Sequence, residues 1–252
     1  MSAWRTELSR SWQAGRLLAW RRIAVYNFKI LVGSTWWLYA LGLGLWVGIL
    51  VLRVAMGWND TPWQAHDVQN AVISLPLVPI AIYFGMTLVY EEVENKTIEA
   101  ALVVDGGGLG VWLFKLATAG GCLGLAACAL GLVARVLLVP FPLVPVLANA
   151  LLPVAFYGAL ALMLSLLLRG EIACGMLTAS VLGLNLLGWE ALATSRVNPF
   201  FNPLLPPGSS ATYVGPETWL ALTVQNRAAV ILATAAMLAY SLHRTRDRER
   251  LV

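Results

Sequence analysis

The residues best placed to do chemistry are carboxylates. Glu91, Glu92, Glu94, Glu99 and Asp105 fall within or just beyond Tyr90-Glu91-Glu92-Val93-Glu94-Asn95-Lys96-Thr97-Ile98-Glu99-Ala100-Ala101-Leu102, between two long apolar runs. The means for catalysis are missing, and what these carboxylates can offer is acidic contacts to a partner. The two histidines, His66 and His243, lie near opposite ends of the apolar region, so there is neither HExxH nor a histidine cluster for a metal. There is no GxSxG, and Ser165 and Ser180 sit in apolar runs with no histidine to act as base. Gly106-Gly107-Gly108-Leu109-Gly110 is not a phosphate loop, since no Gly-Lys-Ser/Thr follows and Lys115 is succeeded by Leu116. No catalytic residue, no metal and no cofactor is expected in this chain.

Locally, the acidic stretch reads as a short helix with Asn95 as cap, Glu99 in the first turn where the dipole favours anions, and the glycines from Gly106 as its stop. Ile98, Ala101 and Leu102 would form one apolar edge beside the acids. A solvated, charged turn fits the same residues.

A membrane must position this stretch. The chain of 252 residues is 59% hydrophobic and 12% charged, where an average soluble domain is roughly 25% charged; its mean hydropathy is +0.74. The net charge of +4 suits an anionic membrane surface; nucleic acid would call for a clustered basic face on a polar body. An all-α integral membrane protein is expected, with six spans over 36–56, 71–90, 111–139, 144–168, 172–189 and 219–242. The first five are clean apolar runs. The sixth has Gln225, Asn226 and Arg227 near its start, and stands if those three face protein or a water-filled cavity. Cys122, Cys128 and Cys174 lie in apolar runs without a CxxC and read as packing residues.

Six spans put both termini on one side. Thirteen basic residues flank that side (Arg5, Arg10, Arg16, Arg21, Arg22, Lys29, Lys96, Lys115, Arg169, Arg244, Arg246, Arg248, Arg250) and four the other (Arg53, Arg135, Arg196, Arg227), which places the termini in the cytoplasm. Residues 1–30 lack a signal peptide's uninterrupted apolar core. Trp4, Leu8 and Trp12, at i, i+4 and i+8 with Arg5, Arg10 and Arg16 around them, suggest an interfacial helix on the inner leaflet; a basic topogenic tail is the alternative.

Outside lie 57–70, a Pro140-Phe141-Pro142 turn, and the segment 190–218 with Asn198-Pro199-Phe200-Phe201-Asn202-Pro203 and Pro206-Pro207-Gly208. Those prolines forbid a regular span. Phe200, Phe201, Leu204 and Leu205 suit either a broken element dipping into the outer leaflet or an apolar loop packed on the helix ends. Arg53, Arg135 and Arg227 fall towards the outer ends, where each can snorkel to water or form an outer gate by pairing with Glu190 or Glu217. Gly44/Gly48 and Gly120/Gly124 have the small-xxx-small spacing of close helix contacts.

Glu92-x-Glu94-x-x-Thr97-Ile98-Glu99-x-x-Leu102, followed by Lys115-Leu116, resembles the E-x-E-x-G-T-x-E-x-L…G-K-L pattern of the membrane subunits of type-2 ABC exporters. Two positions depart from it: Lys96 stands where glycine is usual, and the proline after the motif is absent. The resemblance implies an interfacial helix over 1–30 and a six-helix transmembrane domain over 31–252, with a cytoplasmic coupling helix in 91–110 and broken helices in 190–218. Glu92, Glu94, Thr97, Ile98, Glu99 and Leu102 would dock a separate ATP-binding subunit that supplies ATP and magnesium. A second membrane subunit, identical or related, would complete the pathway. The implied function is the permease of an ATP-driven exporter of an amphipathic or lipid-like substrate in the inner membrane. From the residues alone, the alternative is a non-transporting scaffold that docks a cytoplasmic partner through the acidic loop.

Overall fold

The computed structural model describes residues 36–58, 62–94, 109–168, 170–205 and 215–245, and positions 25, 28, 29 and 33. Helices dominate, and there is no strand among the described residues. They are α1 (Trp36–Ala55), a turn of helix at Ala65–Asp67 that runs through a π-helix (Val68–Ser74) into α2 (Leu75–Glu94), α3 (Leu109–Leu137), α4 (Leu143–Leu168), α5 (Glu171–Leu187), a single turn at Trp189–Leu192, and α6 (Pro216–Arg244).

Among the described residues, five helical stretches are long and apolar enough to cross a membrane: Trp37–Ala55, Ala65–Leu88, Trp112–Leu137, Leu143–Leu168 and Pro216–Arg244. The expected fifth span, 172–189, corresponds to α5, which has only 17 residues, about 25 Å of helix, against a bilayer core of about 30 Å. Gly188 ends it before Trp189. Conversely, the run that looked weakest on sequence belongs to the 29-residue α6, which starts early because Pro216 follows Gly215 in its first turn and Glu217 sits where the helix dipole favours an acid.

α2 and α4 form the centre. Ala81, Gly85, Gly158 and Ala161 bring their backbones together: a Cβ on Gly85 would collide with the Gly158 carbonyl oxygen and stand 3.0 Å from Ala161 Cβ. Lipid tails are as apolar as leucine, so this close van der Waals packing, not water exclusion, holds the helices together. The Gly44/Gly48 and Gly120/Gly124 pairs take no part in it, since a Cβ at any of the four meets nothing within 4 Å. α1 and α6 turn large apolar side chains outward, among them Leu41, Leu45, Ile49, Leu220 and Val224, as a lipid-facing surface requires.

The π-helix follows from proline. Pro76 has no N–H to offer the Ala71 carbonyl five residues back, and the Trp46 indole donates to that oxygen instead, at 2.8 Å. The Ser74 hydroxyl is shared between the carbonyls of Gln69 (2.8 Å) and Ala150 (3.1 Å), which ties the π-helix to α4.

Candidate functional site

The polar groups gather at the end of the bundle that carries residues 56–58 and 62–64, the 138–142 turn and residues 188–205. Here Ala193–Leu205 is not helical, yet Asn198, Pro199, Phe200, Phe201 and Asn202 are all buried. Two Asn-Pro steps shape it. In each, the asparagine oxygen accepts from the amide two residues on: Phe200 N to Asn198 Oδ1 at 2.9 Å, and Leu204 N to Asn202 Oδ1 at 3.0 Å. These side-chain turns satisfy backbone groups that the prolines leave without helical partners.

Three helices hold this plug. Asn202 Nδ2 donates to the His66 carbonyl (2.9 Å), just before the π-helix. Asn226 Nδ2 on α6 donates to the carbonyls of both Asn198 (2.9 Å) and Ser195 (3.2 Å). The Phe200 ring packs against Tyr157 of α4, centroids 5.8 Å apart, and Phe201 against Trp219 of α6 at 4.9 Å. The segment is therefore an apolar element inserted among the helices, and its depth is set by Tyr157, 14 residues past Leu143 in α4, about 21 Å along that axis.

Of the five residues named for an outer gate, Arg227 is the one whose described side chain meets this plug. Arg53 and Arg135 are exposed in the last turns of α1 and α3. The Glu190 side chain lies outside the described residues, and Glu217 is exposed. Arg227 donates from Nη2 to the Phe201 carbonyl at 3.0 Å, with its guanidinium carbon 5.8 Å from the Phe201 ring centroid. It makes no ion pair with a described carboxylate; its Nε and Nη1 are covered and bond nothing. Gln69 Oε1, Tyr157 OH and Asn226 Oδ1 are likewise buried without a partner.

At the opposite end, α2 continues past Tyr90 through Glu94, so Glu92 and Glu94 lie on its final turn, with side chains outside the described residues. Thr97, Ile98, Glu99 and Leu102 lie outside them altogether, as do Trp4, Leu8 and Trp12. Lys115, the lysine of the family pattern, is 3% exposed, with its ammonium 5.4 Å from the centre of the Trp112 ring. Among the described residues, no group of three or more His, Cys, Asp and Glu is placed to hold a metal.

Asn198, Asn202 and Asn226 escaped the sequence reading as a set. The repeated Asn-Pro step was the available signal. Nothing local foretold that an amide 24 residues beyond Asn202 would hold the segment in place. Comparison with protein-family models, with curated proteins and with solved structures found no match.

Proposed function

We propose that the chain is the permease subunit of an ATP-driven ABC exporter, worked by a separate ATP-binding subunit at the Glu92–Leu102 segment. The observation that carries this is a mechanical one. A continuous helical run from Ala65 to Glu94 has the acidic connection at one end and His66, bonded to the plug by Asn202, at the other. At 1.5 Å per residue it is a strut of about 45 Å, clamped along its length by α4 through Gly85 and Gly158. Closure of two nucleotide-binding subunits, pushing at the acidic end, would be felt at the plug as a rigid-body displacement. An apolar cleft of about 210 Å³ between α1, α2 and α3, lined by Tyr39, Leu43, Phe84, Cys122 and Ala126, suits the tail of an amphipathic substrate. A second membrane subunit completes the path, and ATP and magnesium belong to the partner.

The test is co-purification from native membranes in mild detergent. A stoichiometric partner carrying a phosphate loop, lost on joint Glu94→Lys and Glu99→Lys substitution, is the expected result. A chain that arrives with a partner binding no nucleotide would make it a scaffold, and one that keeps the ATPase after both reversals would remove the docking assignment.

A further inference from the structure

We infer that Arg227 is a receptor for an oxyanion carried on an apolar tail, the phosphate or carboxylate head of an amphiphile lying against α6. Three observations converge on it. Arg227 lies 11 residues below Pro216 on α6, about 16 Å along the axis, and a guanidinium stays charged at that depth. Its compensation is incomplete: one backbone carbonyl at 3.0 Å and the edge of an aromatic contact, no carboxylate, and two nitrogens without a partner. A planar fork with unused N–H groups is the geometry that takes an oxyanion in two parallel hydrogen bonds.

The third observation selects the rest of the ligand. Arg227 is partly exposed, and the helix face on which it lies carries Leu220, Val224 and Ile231 at i−7, i−3 and i+4, exposed by 68%, 61% and 51%. Arg227 thus borders a lipid-facing apolar stripe, where an acyl or alkyl chain can lie along α6 with its head at Arg227. An anion arriving there turns the guanidinium off the Phe201 carbonyl and uncovers Nε and Nη1. Because that carbonyl belongs to the plug, occupancy at Arg227 loosens one of its attachments. The anionic head is either that of a membrane phospholipid or that of a transported amphiphile, and the chemistry is the same for both.

The experiment is thermal unfolding of the purified chain in a neutral maltoside, with phosphatidylglycerol, dodecyl phosphate or inorganic phosphate added, and phosphatidylcholine as baseline. At about a hundredfold excess over Kd, wild type should gain about 5–10 °C. Arg227→Gln should lose the gain, while Arg135→Gln, at an exposed arginine in the last turn of α3, keeps it. Arg227→Lys, which retains the charge without the fork, should bind about tenfold more weakly; if Arg227→Gln fails to fold, this variant decides, and wild-type affinity in it overturns the proposal. A gain with phosphatidylglycerol alone identifies a lipid site; a gain with dodecyl phosphate as well identifies a site for any anionic amphiphile. An equal gain with inorganic phosphate overturns the role of the tail, and an unchanged response in Arg227→Gln, or none in wild type, overturns the site. No ATPase partner is involved, so the result stands apart from the exporter reading.

Discussion

One amide on α6 carries two backbone carbonyls of the plug. Asn226 Nδ2 serves both Ser195 and Asn198; each carbonyl also accepts a backbone amide, from Asn198 and Phe201 respectively, so Asn226→Leu removes two bonds without stranding either acceptor and should cost about 2 kcal/mol. The check is a fall of several degrees in the melting temperature of the purified chain. Gln225, its neighbour in sequence, is exposed, and Gln225→Leu should leave stability unchanged. An equal fall in both variants would mean that the amide contributes polarity and not specific bonds. Arg227 shows the same contrast against the other arginines: Arg53 and Arg135 end their helices exposed, as snorkelling cations do, whereas Arg227 turns in to Phe201.

At the scale of elements, the α2–α4 crossing is where the fold is least tolerant. Gly85 faces the Gly158 carbonyl with no room for a methyl group, while Gly44 faces open space. Gly85→Val must push the two helices apart, at about 2 kcal/mol, and Gly44→Val should change little. Thermal unfolding of both variants separates the contact made within one chain from a small-residue face that is free of intrachain contact. The spacing Ala81-x-x-x-Gly85 was as visible in the sequence as Gly44-x-x-x-Gly48. Periodicity alone could not choose between them, because close approach depends on which helix lies opposite, and that is a long-range fact. The π-helix has a more local origin, two prolines three residues apart at Pro76 and Pro79, but its rescue by Trp46 from α1 and Ser74 does not.

For the whole molecule, the decisive question is whether α5 crosses. With Cys122, Cys128 and Cys174 replaced, single cysteines at Pro62, Pro140, Gly170, Glu217 and His243 can be labelled with a membrane-impermeant maleimide in intact cells. Six crossings expose Pro62, Pro140 and Glu217 and protect Gly170 and His243. If the 17-residue α5 stays on one side, Glu217 becomes protected and His243 labelled. The asymmetry of basic residues favours the first pattern, since it sets Arg244, Arg246, Arg248 and Arg250 beside the cytoplasmic ends.

Composition and apolar run length determined by themselves that this chain is helical and where most helices lie. Those properties depend on each segment's own transfer to lipid and on its own backbone hydrogen bonds, which need no neighbour. The expected starts and ends at 36–56, 111–139 and 144–168 fall within two residues of α1, α3 and α4 for that reason. The acidic segment from Glu91 to Leu102 was legible only as a motif, through its resemblance to a family, and the described residues reach no further into it than Glu94. The tertiary structure decided which glycines touch, how deep the Asn198–Asn202 plug sits, and that Arg227 and not Arg53 or Arg135 meets it. Each of these is settled between residues far apart in the chain, because close packing and the partners that a buried polar group gains are supplied by whichever helix the fold sets opposite it.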